Sequence, residues 1–570
     1  MVKYLALDFG TTNCLAAWVD NENVLSLISL EEDSAILPSA IFSKYLNPSP
    51  KTISHTEFQR KLAEAVSAEC LRLKNQEQDI LGQLDIFRKL TGPRRSEPKR
   101  SEFRDRVKFE AALSDFIIGL PSLPKRIKNF ESTAVVTKEA ELRSFQLPGQ
   151  TDDEIERRVT FVLERELMES RARVYEDLNF FSSLRDDRFV TLYGSEAIAA
   201  YVNDPLGGFF MRSPKAFLGS KLEGGRQAVF ADIVSKVLNE VKRRAQLKTG
   251  ANFDGIVIGR PINFLGSAHG GSNEQAVSIM KLAARNAGFS QTRFVMEPFA
   301  AALVIGNTMF DVNYPALIVD VGGGTTDIAY FGVERDALVK LNIQSTAGER
   351  IGGSDFDQSL ALNRIGPVLG KGTMTKDGVP IPTKYYDAAF STRDLEKQIE
   401  FRKSGQQIEA LVGQAMEPVK VGRLNEVYRD QLQHSLLLDA ERAKIALTKN
   451  SDFKLAMNCF TIPADVIFTK NDVAQSCSGS VAKIREMVQN AISCAKTPNS
   501  PVRVFLTGGM SYSEEVIGAV RDVIPVRSTI ARLPAFQSII AGLAMVAHQL
   551  SMSTSIAAEP RNYRGIPIED

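Results

Sequence analysis

Two segments of the chain share one pattern, in which a short apolar run ends in aspartate and turns through glycine into two threonines. The first segment is YLALDFGTTNC, with Asp8 at the end of the apolar run. The second, about three hundred residues later, is LIVDVGGGTTDIAYF, with Asp320 at the same place. Continuous apolar runs broken by glycine are typical of a buried strand that enters a hairpin. The sequence therefore predicts two copies of one strand-and-turn unit.

Helical periodicity is clear in the region that follows the first unit. Apolar residues recur there at three- or four-residue spacing, at Phe58, Leu62, Val66, Cys70 and Leu73. Thr151 and Glu154 then form a capping box ahead of a further apolar series. That series is Ile155, Val159, Val162 and Leu167. These spacings predict helical arms that pack on each other.

Composition limits the class of protein. The chain has 570 residues, too many for one compact core, so two to four domains are expected. Its 69 basic and 68 acidic side chains create no overall field that would attract nucleic acid or a membrane. Five cysteines without a C-x-x-C pair suggest neither a disulfide framework nor a zinc ribbon. With no signal peptide or spanning segment predicted, a cytoplasmic protein is expected.

The repeated turns have the chemistry of a phosphate site. Glycine lets backbone amides approach an anion closely, and the adjacent threonines add hydroxyl donors. The aspartate beside each turn is suited to Mg²⁺, which prefers oxygen ligands and keeps several waters. One such turn alone is more typical of a plain glycine-rich hairpin, but two copies, separated by enough chain to form a lobe, favour nucleotide binding. The segment GPVLGKGT (366–373) has the wrong spacing for a P-loop.

Further segments follow the first strand-and-turn unit in a fixed order. They are ILPSAIF (36–42), YGSEAIAAY with SPKAFLG, IVIGRPINF (256–264), AARNAGFSQTRFVMEPFAAAL, STAGERIGGSDFD (345–357), DAERAKIALT (439–448) and FLTGGM (505–510). In this order they resemble segments of the seventy-kilodalton heat-shock chaperone family, and the resemblance is strongest to a divergent bacterial branch of heat-shock proteins without the peptide-binding half. It implies an α/β, two-lobed, actin-like ATPase fold, in which ribonuclease-H-like domains are duplicated, with a large and mainly helical insertion.

The resemblance also implies domain boundaries. Lobe I is expected to comprise residues 1–48 and 186–312, interrupted by the helical insertion at 49–185. Lobe II is expected to comprise residues 313–365 and 434–550, interrupted by a second insertion at 366–433. The last twenty residues, 551–570, are expected to be a tail too short to fold as a domain. The linker, β-sandwich and helical lid of the family are not visible in the sequence.

Roles for individual residues are carried over from the resemblance. Asp8 and Asp320 would hold Mg²⁺ largely through water, and Lys215, Glu297, Asp327 and Thr325 would carry the catalysis. The nucleotide-binding residues would be Gly10, Thr11, Thr12, Asn13, Gly322, Gly323, Gly324, Thr325, Gly352, Gly353, Glu441, Lys444, Thr448, Gly508, Gly509 and Met510. Pro261 is the counterpart of a proline that relays the nucleotide state. The cofactors implied are ATP or ADP with Mg²⁺.

The function predicted is that of an ATP-binding, slowly hydrolysing chaperone-like protein that acts as a nucleotide-dependent conformational switch. Its protein partner would be engaged through the insertions. The basic segment 93–108 holds seven basic and three acidic residues, and a solvated linker explains it better than a nucleic-acid patch. Two alternatives remain open: a small-molecule kinase of the same superfold, and a filament-forming or scaffolding relative of actin.

Overall fold

A computed structural model describes two compact units. Its description covers residues 2–20, 22–46, 60, 63–64, 67–68, 180–222, 225–264, 273–308, 315–335, 339–534, 537–553, 562–564 and 566–570. One unit comprises Met1–Ser49 and Met168–Asp570, and the other is Pro50–Leu167. In the second unit the described residues are helical. Most of the predicted helical arms and the basic segment 93–108 lie outside the described residues.

A first mixed sheet is built around strand β1 (Tyr4–Phe9). Its order is β3 (Leu25–Ile28), β2 (Asn13–Val19), β1, β8 (Gly255–Arg260) and β9 (Gln291–Met296). The short strand β4 (Leu37–Pro38) also pairs with β2. The pairs β1–β2 and β2–β3 are antiparallel, whereas β8 pairs in parallel with β1 and β9 pairs in parallel with β8. Both faces of β1 are buried, which explains why its sequence is continuously apolar.

A second mixed sheet repeats this order and these directions. It runs β12 (Val339–Glu349), β11 (Thr326–Arg335), β10 (Ala316–Val321), β15 (Arg503–Thr507) and β16 (Thr529–Arg532). Strands β10, β11 and β12 are antiparallel, and β15 and β16 add in parallel. Both predicted strand-and-turn units are therefore hairpins, β1–β2 and β10–β11, at equivalent places in two sheets of one topology.

Helices cover the sheets. In the unit that contains the sheets, the first described helices are α1 (Phe180–Ser183), α2 (Gly194–Asn203), α3 (Arg226–Thr249), α4 (Asn273–Asn286), α5 (Glu297–Thr308) and α6 (Gly353–Leu360). Helices α3 and α4 pack on one face of the first sheet. The opposite face of that sheet shares a core with α5, the second sheet and a helix near the end of the chain. A mixed α/β fold of this kind is consistent with an actin-like ATPase.

Two smaller groups extend from the sheets. Strands β5 (Ala40–Tyr45), β6 (Phe189–Tyr193) and β7 (Gly208–Arg212) form a three-stranded sheet that α2 covers. The chain after α6 forms α7 (Lys384–Phe390), α8 (Leu395–Lys403), α9 (Gly405–Gln414), α10 (Pro418–Arg429) and α11 (Gln433–Leu447). A hairpin of β13 (Asp452–Met457) and β14 (Ala464–Thr469) follows.

The remaining helices complete the second half of the chain. They are α12 (Lys470–Ser476), α13 (Ser478–Ser493), α14 (Glu514–Arg521) and α15 (Gln537–Ser551). Within the described residues, no helix combines the length and the apolar character needed to cross a bilayer.

The end of the chain returns to the core. After α15, strands β17 (Asn562–Tyr563) and β18 (Ile566–Pro567) pair with each other, and Glu569 pairs with Phe294 of β9. The carboxylate of Glu569 accepts hydrogen bonds of 2.7 and 2.6 Å from the guanidinium of Arg260. Ile566 is fully buried in the core that both sheets share. These last residues are thus part of the packed unit, although they are too few to form a domain.

Helices α5 and α15 cross at very close range. A Cβ atom added at Gly542 of α15 would lie 2.5 Å from the carbonyl carbon of Ala300 in α5, well inside van der Waals distance. In contrast, a Cβ atom at Gly518 of α14 would meet nothing within 4 Å. The packing of α15 against α5 therefore requires glycine at position 542, whereas α14 leaves room for a side chain at position 518.

We expect Gly542→Ala to lower the free energy of unfolding by about 1–3 kcal/mol, because the added methyl group forces the two helices apart. The matched variant Gly518→Ala is expected to leave it unchanged or to raise it by up to about 1 kcal/mol, since alanine is the better helix former. Urea unfolding followed by circular dichroism measures both. Equal stabilities of the two variants would contradict the close packing of α5 and α15.

Candidate functional site

The first hairpin turn, between β1 and β2, is fixed by hydrogen bonds. The amide of Gly10 donates to the carbonyl oxygen of Asn13 at 2.9 Å, which closes the turn between β1 and β2. Ser39 supports the turn from outside, because its hydroxyl donates to the carbonyl oxygen of Gly10 at 2.8 Å and its amide donates to Thr12. Thr11 is buried, whereas Thr12 and Asn13 are half-buried. This turn has the same form as the one that joins β10 and β11.

The second hairpin turn faces the first. The amide of Gly322 donates to the carbonyl oxygen of Thr325 at 2.9 Å, as the amide of Gly10 does to Asn13. A Cβ atom at Gly324 would lie 2.5 Å from the hydroxyl oxygen of Thr11, so only glycine allows the two turns to approach this closely. The approach brings the hydroxyl groups of one turn next to the backbone amides of the other. Such an arrangement can bind an anion with several acceptor oxygens.

A third loop packs against the second turn. The amide of Gly353 donates to the carbonyl oxygen of Gly322 at 2.9 Å, and the amide of Ser354 donates to Gly323 at 2.8 Å. Gly352 precedes α6, and its amide is bonded to the carboxylate of Asp355 at 2.8 Å. The loop from Gly352 is thus fixed against the second hairpin turn, at the start of a helix whose N-terminus favours negative charge.

Buried charged groups lie beside the turns. Lys215, in the short 3₁₀ helix Pro214–Phe217, pairs with Glu297, the first residue of α5, at 2.6 Å. Asp327 follows the second turn on β11, and its Oδ1 accepts a 2.6 Å hydrogen bond from the amide of Ile262. Asp8 and Asp320 occupy the equivalent positions on β1 and β10. All five side chains are buried, with exposed fractions from 0% for Asp327 to 7% for Asp8.

These groups influence one another's protonation. Burial, with the charge of Glu297, raises the pKa of Asp8 to about 7 and that of Asp327 to about 7. Burial and the charges of Glu297 and Asp327 also raise the pKa of Asp320. Burial alone would lower the pKa of Lys215, but the charges of Glu297 and Asp8 outweigh it, so the pKa is raised and the ammonium stays protonated. The carboxylates therefore favour a bound cation.

The residues present fit a hydrated magnesium ion. Oδ1 of Asp320 and Oδ2 of Asp327 are buried without a hydrogen-bond partner, which leaves acceptors directed into the site. Among the described residues, no three His, Cys, Asp or Glu side chains lie close enough to ligate a metal directly. Mg²⁺ held mainly through its waters requires fewer direct ligands, and Asp8 and Asp320 are placed beside the two turns to contact such waters.

Residues predicted to contact adenosine lie on α11, next to the third loop. In α11, the ammonium of Lys444 donates to the carbonyl oxygen of Gly353 at 2.9 Å and pairs with Asp357 at 2.7 Å. Burial raises the pKa of Asp357 to about 6, although Lys444 opposes that shift. Glu441, one turn earlier, pairs with Arg212 of β7 at 2.7 Å. The chain thus links α11 both to the third loop and to the three-stranded sheet.

A small cavity adjoins these residues. Its volume is about 70 Å³, and it is lined by predicted residues Lys444, Thr448, Gly509 and Met510, together with Ile445 and Tyr512 among others. Gly508 lies just outside it, after β15, where Thr507 pairs with Asp320. The lining of the cavity at Ile445 and Met510 is apolar, which suits contact with one face of an aromatic base.

The structure brings most predicted residues together in two neighbouring groups. One group contains both hairpin turns with Asp8, Lys215, Glu297, Asp320 and Asp327, and the other contains Glu441, Lys444, Thr448 and the residues around Gly509. Arg212 and Asp357 were not among the predicted residues, although each pairs with a predicted one. The sequence gives one indication of Asp357, which lies four residues after Gly353 in the segment GGSDFD, about one helical turn away. It gives no indication that Arg212 belongs to the site.

Comparisons with known proteins give matches over part of the chain. Residues 215–364 match a protein-family model described as Hsp70 protein. The chaperone protein DnaK of Mycoplasma mobile is 31% identical over 138 residues, which are 24% of this chain and 21% of that protein. DnaK of Ureaplasma parvum serovar 3 is 34% identical over 128 residues, 22% of this chain and 19% of that protein.

The similarity therefore spans about a fifth of the length of the curated relatives it matches. The segment that matches the family model contains Lys215, Glu297, Asp320 and Asp327. These matches support a relationship between the chain and the Hsp70 family.

Proposed function

We propose that the chain is an ATP-binding, slowly ATP-hydrolysing protein of the Hsp70 type, which works as a chaperone-like conformational switch. In this proposal, each of the two equivalent sheets is the centre of a lobe, and the nucleotide lies between them. One observation carries the proposal: the glycine–threonine turns of both sheets meet at a buried group of carboxylates around Lys215. Such a group is costly to bury without a cationic and polyanionic ligand to complete it.

The turns would bind the phosphates. Amides and hydroxyls from Gly10 to Asn13 would contact them from one lobe, and those from Gly322 to Thr325 from the other. The loop at Gly352 and Gly353 would close the phosphate side. Asp8 and Asp320 would accept hydrogen bonds from the water shell of Mg²⁺. When bound, the ion supplies neutralisation of the charge on the phosphate oxygens.

The reaction proposed is attack of water on the γ-phosphorus of ATP, with ADP as the leaving group. Lys215 would donate to the water and hold it in line, because its ammonium stays protonated beside Glu297. Asp327 is fixed by the amide of Ile262 and by the hydroxyl of Thr325, and would accept a hydrogen bond from the same water. No covalent intermediate is needed, since positioning and charge neutralisation supply the catalysis.

The adenosine would lie on the side of α11. Glu441, Lys444 and Thr448 would contact the ribose and one face of the base, while Gly508, Gly509 and Met510 would contact the other face. Ion pairs from α11 to Arg212 and Asp357 support this assignment, because they fix the helix next to the third loop. Contacts of the base with Ile445 and Tyr512 would be mostly apolar, so recognition of adenine is expected to rest on shape more than on hydrogen bonds.

The switch would act through the contact between the turns. A γ-phosphate that touches both turns adds contacts in the closed arrangement only, so its loss after hydrolysis favours opening. The output is proposed to reach a protein partner through the insertions at 49–185 and 366–433. A cytoplasmic location is part of the same proposal.

We expect Asp8→Ala and Asp320→Ala each to weaken binding of ADP and ATP in Mg²⁺ by at least about tenfold, because each removes one acceptor for the hydrated ion. Isothermal titration calorimetry with and without Mg²⁺ measures the effect. The matched control is Asp377→Ala, which removes an exposed carboxylate far along the sequence from either turn. Tight binding in wild type that neither site variant changes would contradict the proposal.

A second prediction separates hydrolysis from binding. Lys215→Met is expected to lower single-turnover phosphate release by about a hundredfold or more, while the dissociation constant for ADP changes by less than about threefold. The substitution leaves Glu297 buried without its partner, so the double variant Lys215→Met/Glu297→Gln serves as the control for stability. Phosphate release in Lys215→Met at the wild-type rate would remove Lys215 from the mechanism.

A further inference from the structure

A larger cavity lies away from the residues assigned to the nucleotide. Its volume is about 390 Å³, within the range of small-molecule sites. Aromatic residues Phe209 and Phe210 of β7 and Tyr201 of α2 line one side, and Phe401 and Tyr428 of α8 and α10 line the other. Neither hairpin turn contributes to it, and none of its lining residues borders the cavity at Met510. The proposed function leaves this space without a role.

The aromatic walls are ordered by contacts of their own. Tyr201 stacks on Phe210 with ring centroids 4.2 Å apart and planes 14° from parallel. The imidazole of His434 meets Phe210 edge-on at 5.0 Å. On the other wall, Phe401 and Tyr428 meet edge to face at 5.7 Å. Rings held in this way lose little freedom when a ligand binds against them, so the entropic cost of binding is small.

Polar contacts fix the same side chains. The hydroxyl of Tyr201 donates to the carbonyl oxygen of Gln431 in the loop before α11. The hydroxyl of Tyr428 donates to the carbonyl oxygen of Arg402 at 3.0 Å. Tyr201 therefore joins the two walls, and Tyr428 sets the position of the backbone that carries Arg402.

The charge of the cavity is positive. Arg402 and Arg429 line it, and no aspartate or glutamate occurs among its described lining residues. Arg402 is exposed, and its guanidinium forms no ion pair with a described residue. The surroundings of His434 agree: burial, and then the charges of Arg212 and Arg402, lower its pKa to about 3. An anionic group would thus find an unneutralised guanidinium at this site.

We propose that this cavity is a second ligand site, which binds a small planar aromatic molecule carrying one anionic group. The aromatic walls would contact the ring, and Arg402 would pair with the anion, for which the planar guanidinium suits either a carboxylate or a phosphate. The volume accommodates a fused two-ring system with its anionic substituent. No residue assigned to the nucleotide is among the described residues that line this cavity, so the proposed site is distinct from the nucleotide site.

The test uses four matched probes: 2-naphthoate, 2-naphthyl phosphate, the neutral 2-naphthamide and the saturated decahydro-2-naphthoate. Ligand-observed NMR titrations of the full chain, with and without saturating ADP and Mg²⁺, give a dissociation constant for each. We expect an aromatic anion to bind at least about tenfold more tightly than both the neutral amide and the saturated acid. The tighter of the carboxylate and the phosphate then identifies the kind of anion that the site selects.

Two variants locate the binding. Arg402→Gln and Phe210→Leu are each expected to weaken binding of the better aromatic anion by about tenfold. The controls are Lys403→Gln and Phe181→Leu, which change a neighbouring charge and a neighbouring ring that do not line the cavity. If Phe210→Leu proves unstable in thermal unfolding, Arg402→Gln decides alone, since Arg402 is an exposed side chain.

Four results would overturn the proposal. The first is that none of the probes binds, and the second is that the amide or the saturated acid binds as tightly as the aromatic anions. The third is equal binding in wild type and Arg402→Gln. The fourth is displacement of the probe by ADP, which would assign the binding to the nucleotide site. Nucleotide binding that Asp8→Ala and Asp320→Ala leave unchanged, together with probe binding that depends on Arg402, would leave this proposal standing and contradict the ATPase proposal.

Discussion

The burial of Lys215 with Glu297, Asp8, Asp320 and Asp327 is the constraint on which the site depends. Charged groups removed from water are stable only when paired with each other or with a ligand. One ammonium group cannot neutralise four carboxylates. Together with burial, this excess of negative charge raises the pKa values of Asp8, Asp320 and Asp327. A hydrated cation with a polyphosphate would add positive charge beside the carboxylates and hydrogen-bond acceptors for the turns. A bound nucleotide with its cation would therefore supply the partners that these buried groups and turns lack.

The repeated sheet topology explains how such a site forms. In each sheet the central strand carries aspartate as its next-to-last residue and enters a hairpin turn rich in glycine and threonine, and the two equivalent turns face each other. Helices α5 and α15 pack in the core that both sheets share. The close crossing at Gly542 and the return of Glu569 to Arg260 strengthen the same region. The contacts that stabilise this shared core therefore also hold the two turns in position.

Much of this arrangement could be predicted from the sequence, but only where the signal is local. The pattern of an apolar run, aspartate, glycine and threonine identifies both hairpins. Partners distant in sequence have no such signal: Arg212 pairs with Glu441, and Arg260 with Glu569, only because the fold brings them together. The aromatic cavity was missed for the same reason, since its rings come from β7, α2, α8 and α10. The predicted domain boundaries stay a prediction.

The most direct test of the central claim is a crystal structure of the full chain with ADP and Mg²⁺. Our account predicts phosphate oxygens within hydrogen-bond distance of the backbone amides of both turns, at Gly10–Asn13 and at Gly322–Thr325. It also predicts Asp8 and Asp320 in contact with the waters of the metal ion, and the base beside Met510. A nucleotide that touches only one turn, or that binds elsewhere on the protein, would contradict it.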